Sequence, residues 1–220
     1  MSEIGIAVRR QVFIYILSCC CYLIGGQELL AGEWYYVRWV DDGDSIVLQD
    51  GRHVRYIGVN APEIQHENQQ AEPNGYNAKA FNTKLVYQKN VRLELDREKY
   101  DRYGRVLAYV FLKDGTFVNA KLVDQGYAFS LYRRPNLNYN SILLQSQRRA
   151  MTAEKGIWQN WREQKATYIG NKRSMRFHLP TCSFAKKINS KNKVFFSKKW
   201  DAFWDGYAPA KKCVKRFWSD

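Results

Sequence analysis

An arginine and a glutamate on either side of a tight turn are the residues best placed to do chemistry. Arg55 lies in the strand-like run that ends near Val59, and Glu63 follows directly on an Asn-Ala-Pro turn. Because the residue before a proline is pushed out of the helical region, the turn ends the strand and leaves both side chains near one rim. A guanidinium is a planar fork of donors that suits a phosphate, and a carboxylate can accept a proton. The pair fits phosphodiester cleavage, but alone it is more often a surface ion pair.

Two charged clusters flank this stretch. Upstream, Asp41, Asp42 and Asp44 crowd a turn in which Gly43 is expected to supply backbone freedom. Crowded carboxylates repel one another unless a cation joins them, so a hard divalent ion is their natural partner, with a solvated acidic turn as the alternative. Downstream, the sequence Asp-Arg-Tyr-Gly-Arg ends at Arg105 and adds a second guanidinium.

Taken in order, these motifs resemble the staphylococcal nuclease (thermonuclease-like) family over residues 34 to 161. The motifs that carry the resemblance are Asp42-Gly43-Asp44-Ser45, Arg55 with Asn60-Ala61-Pro62-Glu63, and Asp101-Arg102-Tyr103-Gly104-Arg105. The resemblance implies an OB-type barrel and an endonuclease that hydrolyses DNA and RNA with little sequence specificity, leaving 3′-phosphates.

The resemblance also implies a role for each residue of the site. Arg55 and Arg105 would hold the phosphate and stabilise the transition state, while Glu63 would act as general base or orient the attacking water. Calcium would be bound by the Asp44 carboxylate and the Ala61 backbone carbonyl, and it would polarise the phosphate.

The chain departs from the family pattern at two adjacent positions. Asn60 stands where the family usually has a metal-binding aspartate; an amide oxygen can still bind calcium but brings no charge, so we expect weaker binding. Ala61 replaces a threonine, which would cost little if only its backbone carbonyl binds calcium. Arg102, Tyr103 and Tyr132 are candidate nucleic-acid contacts, with a solvated basic loop as the equally weighted alternative.

The spacing of apolar residues predicts an α+β protein with an OB-fold-like five-stranded barrel, three helices and a small C-terminal α/β module. The predicted strands are Tyr35–Val40, Ser45–Leu48, His53–Val59, Val91–Leu95 and Val106–Leu112, and the predicted helices are Tyr76–Gln88, Val118–Gln125 and Asn140–Lys155. The domain division that follows places the nuclease-like domain at residues 33–162 and the module at residues 168–217.

The C-terminal module is strongly basic and carries much of the net charge of +14, which favours an anionic partner such as nucleic acid. It resembles the small zinc module of Ada-type DNA-repair proteins, with His178, Cys182 and Cys213 as ligands and Ala210 in place of a fourth. Zinc on three protein ligands is one interpretation. A Cys182–Cys213 disulfide is the other, and it is slightly favoured for an exported protein. The lysines and aromatic residues of the module could bind nucleic acid. The simpler interpretation is that the aromatic residues form the small core of the module and the lysines its solvated face.

The first 31 residues have the charge pattern of a signal peptide or membrane anchor. Arg9 and Arg10 precede a short apolar run, and Cys19 lies in a loose lipoprotein-like box. We therefore expect an exported protein that is secreted, periplasmic or anchored at the cell surface. Separately, we expect the protein to be monomeric.

Two other classes of function remain open at this stage. One is a catalytically inactive OB-type nucleic-acid-binding protein of the cell envelope. The other is a cell-surface protein whose basic tail binds acidic polymers. The intact set of Arg55, Glu63 and Arg105 favours the enzyme over both.

Overall fold

The computed structural model describes residues 33–65, 70–163 and 166–214. The predicted signal peptide or anchor at residues 1–31, with Cys19, lies outside these residues. Within the described part of the chain, no helix has the length and apolar character needed to cross a bilayer.

Up to Ser130 the described residues form seven strands, and five of them close into a barrel. The strands are β1 (Trp34–Asp42), β2 (Ser45–Leu48), β3 (His53–Tyr56), β4 (Val59–Asn60), β5 (Asn90–Glu94), β6 (Val106–Leu112) and β7 (Phe129–Ser130). The barrel has the order β1-β2-β3-β6-β5, in which β3 and β6 run parallel and the other described pairs antiparallel. This confirms the predicted five-stranded barrel with OB-type character.

Three helices surround the barrel, as the sequence predicts: α1 (Gly75–Val86), α2 (Val118–Asp124) and α3 (Asn140–Thr152). The third strand ends at Tyr56 instead of Val59, because Gly58 adopts a left-handed φ of 75° that breaks the extended run. The chain then resumes as β4, which pairs with β7 outside the barrel.

The barrel interior is filled by alternate side chains of its strands. Val37, Ile46, Val54 and Val110 are completely buried there, as period-two alternation requires. On the other face of β6, Leu107 and Tyr109 pack against a second set of apolar residues. Arg55 shares this outer face, because neighbouring residues of a strand point to opposite sides.

The C-terminal segment folds into a four-stranded sheet with two short helices. Its elements are β8 (Tyr168–Asn171), β9 (Arg176–His178), α4 (Ser183–Lys186), β10 (Lys193–Phe196), α5 (Lys199–Trp204) and β11 (Ala208–Pro209). The strand order is β10-β8-β9-β11, and β11 runs parallel to β9. The sequence predicts a strand at Val194–Phe196 and a short helix at Lys199–Asp205 in this segment, and these correspond to β10 and α5.

This C-terminal sheet shares a hydrophobic core with the nuclease-like part. Phe129 and Trp158 pack with Phe177 and Phe203, all at most 2 % exposed. Phe203 is the centre of this shared core, with its ring 5.5 Å from that of Phe129 and 5.1 Å from that of Trp158. From Glu33 onward the chain forms a single compact unit, while the division at residues 162 and 168 stays a prediction.

Polar contacts across the shared core fix the orientation of the C-terminal segment. The side chain of Gln147 on α3 accepts a hydrogen bond from the Ser130 backbone N–H and donates one to the Phe203 carbonyl. Arg148 donates to the Trp204 carbonyl at 2.9 Å. These bonds fix the C-terminal segment against the nuclease-like part.

Candidate active site

Arg55 and Asp44 form the buried centre of the candidate site. Register pairs Arg55 on β3 with Ser45 on β2, which brings Arg55 beside the acidic turn. Nη2 of Arg55 lies 2.9 Å from Oδ2 of Asp44, and the two side chains are only 15 % and 6 % exposed. Nη1 of Arg55 donates to the Tyr56 carbonyl at 2.8 Å, which fixes the plane of the guanidinium.

Asp44 is a carboxylate in a strongly perturbed environment. Burial raises its pKa to about 8; the Arg55 charge and a hydrogen bond from the Ala61 N–H oppose this shift, whereas Asp42 and Glu63 add to it. The Ala61 N–H lies 2.7 Å from Oδ2 of Asp44. A bound cation would stabilise the ionised form in the same way as Arg55 does, so this position suits a hard cation.

The acidic turn needs a glycine for space and not for backbone freedom. Gly43 does not have a left-handed φ, so the expected reason for this glycine is wrong. A Cβ atom at this position would lie 2.5 Å from the Cβ of Ala61 and 2.7 Å from that of Ala78 on α1. Gly43 therefore lets the acidic turn pack directly on the Asn-Ala-Pro turn.

Asn60 is arranged as a donor to the group that would bind calcium. Its Nδ2 donates to the Ala61 carbonyl at 3.1 Å, and its Oδ1 accepts from Nη2 of Arg55 at 3.4 Å. Asn60 is buried, with 6 % exposure. In this conformation the Asn60 amide already donates a hydrogen bond to the Ala61 carbonyl. A cation at that carbonyl would have to displace this hydrogen bond, which an aspartate could not make.

Glu63 is held through its backbone and its side chain. Its N–H donates to Oε2 of Glu72, and its carbonyl accepts from the Glu72 N–H, both at 2.9 Å. A Cβ atom on Gly75 would lie 2.3 Å from the Glu63 carbonyl oxygen, so α1 begins in tight contact with this segment. The carboxylate pairs with Nζ of Lys211 at 2.9 Å, and Glu63 keeps 30 % of its side chain exposed.

Arg105 immediately precedes β6, the strand that neighbours β3. Because Arg55 pairs with Leu107 in the parallel ladder, Arg105 lies two residues before the partner of Arg55 and has the same parity. Ordinary strand spacings then place the two Cα atoms roughly 8 Å apart. Nε of Arg105 donates to Oδ2 of Asp101 at 2.8 Å. Burial would raise the pKa of Asp101, but hydrogen bonds from Arg105 and Tyr103 outweigh it and lower that pKa.

The predicted nucleic-acid contacts lie at the surface in stacked pairs. Tyr103 is 68 % exposed, and the Arg102 guanidinium lies 4.7 Å from its ring centroid. Tyr132 is partly buried and accepts a hydrogen bond from Nε of Arg134 at 2.7 Å. Both tyrosines present a ring next to a guanidinium, an arrangement that can stack on a base and neutralise a phosphate.

His178, Cys182 and Cys213 meet at one point in the C-terminal segment. Their ligand atoms lie within 4.8 Å of one another, and the two sulfur atoms are 3.6 Å and 3.3 Å from Nδ1 of His178. Both cysteines are free thiols, so the disulfide favoured from the sequence is wrong. The reason is geometric: both sulfur atoms point toward the imidazole nitrogen.

The electrostatics of this cluster differ between its members. Burial and the nearby charge of Arg176 lower the pKa of His178, which keeps the imidazole neutral. Burial would raise the pKa of Cys182, but hydrogen bonds from Cys213 and from two backbone N–H groups outweigh it and lower that pKa. Burial raises the pKa of Cys213 to about 11. A neutral imidazole beside an easily ionised thiol is a suitable start for a metal site.

The sequence analysis missed the residues that support the site. Lys211 is 148 positions from Glu63, and no local pattern relates the two. Asp101 was noted only as part of a motif, although it orients Arg105. The glycine-containing turn between them is the signal that could have indicated this ion pair, because it brings Arg105 back beside Asp101.

Comparison with known proteins identifies the family. The profile described as staphylococcal nuclease homologue matches residues 53–160. The thermonuclease of Staphylococcus intermedius is 42% identical over 159 residues, which are 71% of this chain and 94% of that protein. The thermonuclease of Staphylococcus hyicus is 40% identical over 131 residues, 58% of this chain and 77% of that protein. Endonuclease YncB of Bacillus subtilis (strain 168) is 34% identical over 136 residues, covering 60% of this chain and 62% of that protein. The chain therefore belongs to the staphylococcal nuclease family and is a nuclease.

Proposed function

We propose that this nuclease hydrolyses phosphodiester bonds of both DNA and RNA with little sequence specificity, and that a divalent cation assists it. The observation that carries the proposal is the buried Arg55–Asp44 pair, which lies near a partly exposed Glu63 and next to β6, the strand that Arg105 immediately precedes. The barrel offers a phosphate-binding group and a proton acceptor, and both act on the phosphodiester backbone and not on a base.

The chemistry follows from these side chains. Glu63 takes a proton from a water molecule whose oxygen forms a bond to phosphorus, and the bond from phosphorus to the 5′-oxygen breaks. The electron pair stays on that oxygen, which takes a proton from solvent, and the products are a 3′-phosphate and a 5′-hydroxyl. Arg55 and Arg105 donate hydrogen bonds to the phosphoryl oxygens as negative charge builds up on them, an effect worth about 3 kcal/mol for each donor.

The cation of this proposal is calcium, bound by Asp44, Asn60 and the Ala61 carbonyl. The raised pKa of Asp44 supports a cation at this position, because a buried carboxylate among other carboxylates is stabilised by positive charge. Bound calcium would neutralise part of the negative charge on the phosphate. To hold the cation, Asn60 would have to give up its hydrogen bond to the Ala61 carbonyl, and binding would be weaker than with an aspartate.

Cleavage of supercoiled plasmid and of a structureless RNA, each with calcium or with a chelator, tests the proposal. We expect both substrates to be cut in calcium and neither in excess chelator. Glu63→Gln should lower kcat by about 10²- to 10⁴-fold with an unchanged melting temperature. Glu33→Gln is the matched control, since it removes the same charge from an exposed position at the edge of β1. Near-normal cleavage by Glu63→Gln would exclude Glu63 as the base.

We propose in addition that His178, Cys182 and Cys213 bind one zinc ion, as the likeness to Ada-type modules suggests. Tetrahedral zinc separates sulfur and nitrogen ligand atoms by roughly 3.5 Å. The distances of 3.3 Å and 3.6 Å agree with this geometry. With Ala210 at the fourth position, water would complete the site. Metal analysis of the purified protein should give one zinc per chain, and Cys182→Ser should lose it; a full-length protein free of zinc after purification in zinc would refute the site.

Export is the third proposal, and it rests on the charged and apolar pattern of the first 31 residues. Mass spectrometry of the mature protein would find a cleaved N-terminus or a lipid on Cys19. An intact N-terminus on cytoplasmic protein would contradict export.

A further inference from the structure

We propose that Lys211 of the C-terminal segment is a substrate-binding residue of the nuclease site. In the resting enzyme it holds Glu63, and in the complex it moves to a phosphate of the bound nucleic acid. The inference rests on the proposed role of Glu63, and it adds a binding residue from outside the nuclease-like part of the chain.

The position of Lys211 is fixed by the fold of the C-terminal segment. It lies in a turn directly after β11, in which the Ala210 N–H donates to the Phe177 carbonyl and the Cys213 N–H donates to the Ala210 carbonyl, both at 2.9 Å. The segment itself is anchored to α3 through Gln147 and the shared core. The contact between Lys211 and Glu63 is therefore a consequence of how the two parts of the chain pack.

Among Arg55, Arg105 and Lys211, charge pairing makes Lys211 the cation most easily released to substrate. Arg55 is paired with buried Asp44, and Arg105 is paired with Asp101, whose side chain is only 7 % exposed. The Lys211 side chain is 70 % exposed, and its described partner is the carboxylate that must be free for catalysis. Exposed ion pairs of this kind contribute little to stability, so an incoming phosphate can displace Glu63 at small cost.

The movement has a direct consequence for the reaction. In the resting enzyme, the Lys211 ammonium group donates a hydrogen bond to Oε1 of Glu63, so that oxygen is already occupied by a donor. When the ammonium group pairs with a phosphate oxygen next to the scissile one, the carboxylate becomes available to water. Substrate binding would thus release the base, and the nucleic-acid surface would extend from the barrel onto the basic C-terminal segment.

The neighbouring lysine offers a matched control. Nζ of Lys212 lies 5.2 Å from the ring centroid of Phe184, a different environment from that of Glu63. Lys211→Ala and Lys212→Ala remove the same charge one position apart in the same turn. Lys211→Arg keeps the charge and tests whether a cation is enough.

The experiment measures kcat and KM of the full-length enzyme on a short single-stranded DNA at several salt concentrations. Lys211→Ala should raise KM about 5- to 20-fold with kcat within about twofold, and Lys211→Arg should restore KM. The slope of log KM against log salt should fall by about 0.7, the value for one lost phosphate contact. Lys212→Ala should leave KM within about twofold and the slope unchanged.

Binding measured without cleavage separates this inference from the proposed function. In the Glu63→Gln background, Lys211→Ala should weaken the Kd for the same DNA, measured by fluorescence anisotropy, by a similar factor. If Lys211→Ala left both KM and Kd unchanged, the inference would be overturned. A raised kcat at constant KM would also overturn it, because Lys211 would then inhibit Glu63 and not bind substrate. Activity in Glu63→Gln itself would instead refute the proposed base and leave the KM comparison of the two lysine variants valid.

Discussion

Replacing Gln147 by leucine removes the polar link between α3 and the C-terminal segment at almost constant volume. Gln147 is completely buried; its Oε1 accepts from the Ser130 N–H at 2.7 Å, and its Nε2 donates to the Phe203 carbonyl at 2.5 Å. Leucine can make neither bond. The substitution therefore isolates the hydrogen bonds from the packing of the shared core.

The expected loss differs for the two backbone groups. The Ser130 N–H loses its acceptor in a buried place, at a cost of about 1 to 3 kcal/mol. The Phe203 carbonyl also accepts from the Gly206 N–H at 2.9 Å and loses only one of two bonds, about 1 kcal/mol. The free energy of unfolding should fall by about 2 to 4 kcal/mol, and for a unit of this size Tm should fall by about 4 to 16 °C.

Thermal and urea unfolding followed by circular dichroism measure this loss. Gln145→Leu is the control, since Gln145 lies on the same helix with its side chain exposed. That variant should keep Tm within about 2 °C of the parent. If Gln147→Leu changed Tm no more than Gln145→Leu does, the C-terminal segment would not be fixed to α3 by these bonds.

Two further predictions concern the cation position. Asn60→Asp replaces a neutral ligand by a charged one and removes the donor to the Ala61 carbonyl. Calcium affinity, measured by isothermal titration calorimetry, should therefore rise about tenfold or more. Equal or weaker binding would show that Asn60 lies outside the calcium site. Gly43→Ala forces a Cβ atom to within 2.5 Å of Ala61, so stability should fall by about 1 to 3 kcal/mol together with calcium affinity. A Gly43→Ala protein with parental Tm and affinity would contradict the close packing of the two turns.

The sequence predicted the barrel because its strands are apolar-rich runs bounded by turn residues, with apolar and charged residues alternating in β5. β2 and β6 were found with their bounds, Ser45–Leu48 and Val106–Leu112. Short strands such as β9 and β11 carry no such alternation, and their pairing depends on residues far away in the chain. The C-terminal sheet could therefore not be derived from local patterns.

The candidate site was predictable where a motif is local and not where the contact is distant. Arg55 and Asp44 could be placed together because a hairpin joins β3 to β2, the strand that Asp44 immediately precedes. The role of Gly43 was wrong because the sequence shows a turn but not which chain packs on it. The ion pair of Lys211 with Glu63 depends on how the C-terminal segment packs against the nuclease-like part. The spacing of residues in the sequence does not predict that packing.

The shared core also has a consequence for how the protein is made. Ribosomes release a chain from its N-terminus, and domains generally fold as they emerge. Phe129 and Trp158 stay uncovered until Phe203 has left the exit tunnel, so the nascent nuclease exposes an aromatic face while its C-terminal segment is being made. A premature stop codon before that residue would yield an aggregating product and not a smaller working enzyme.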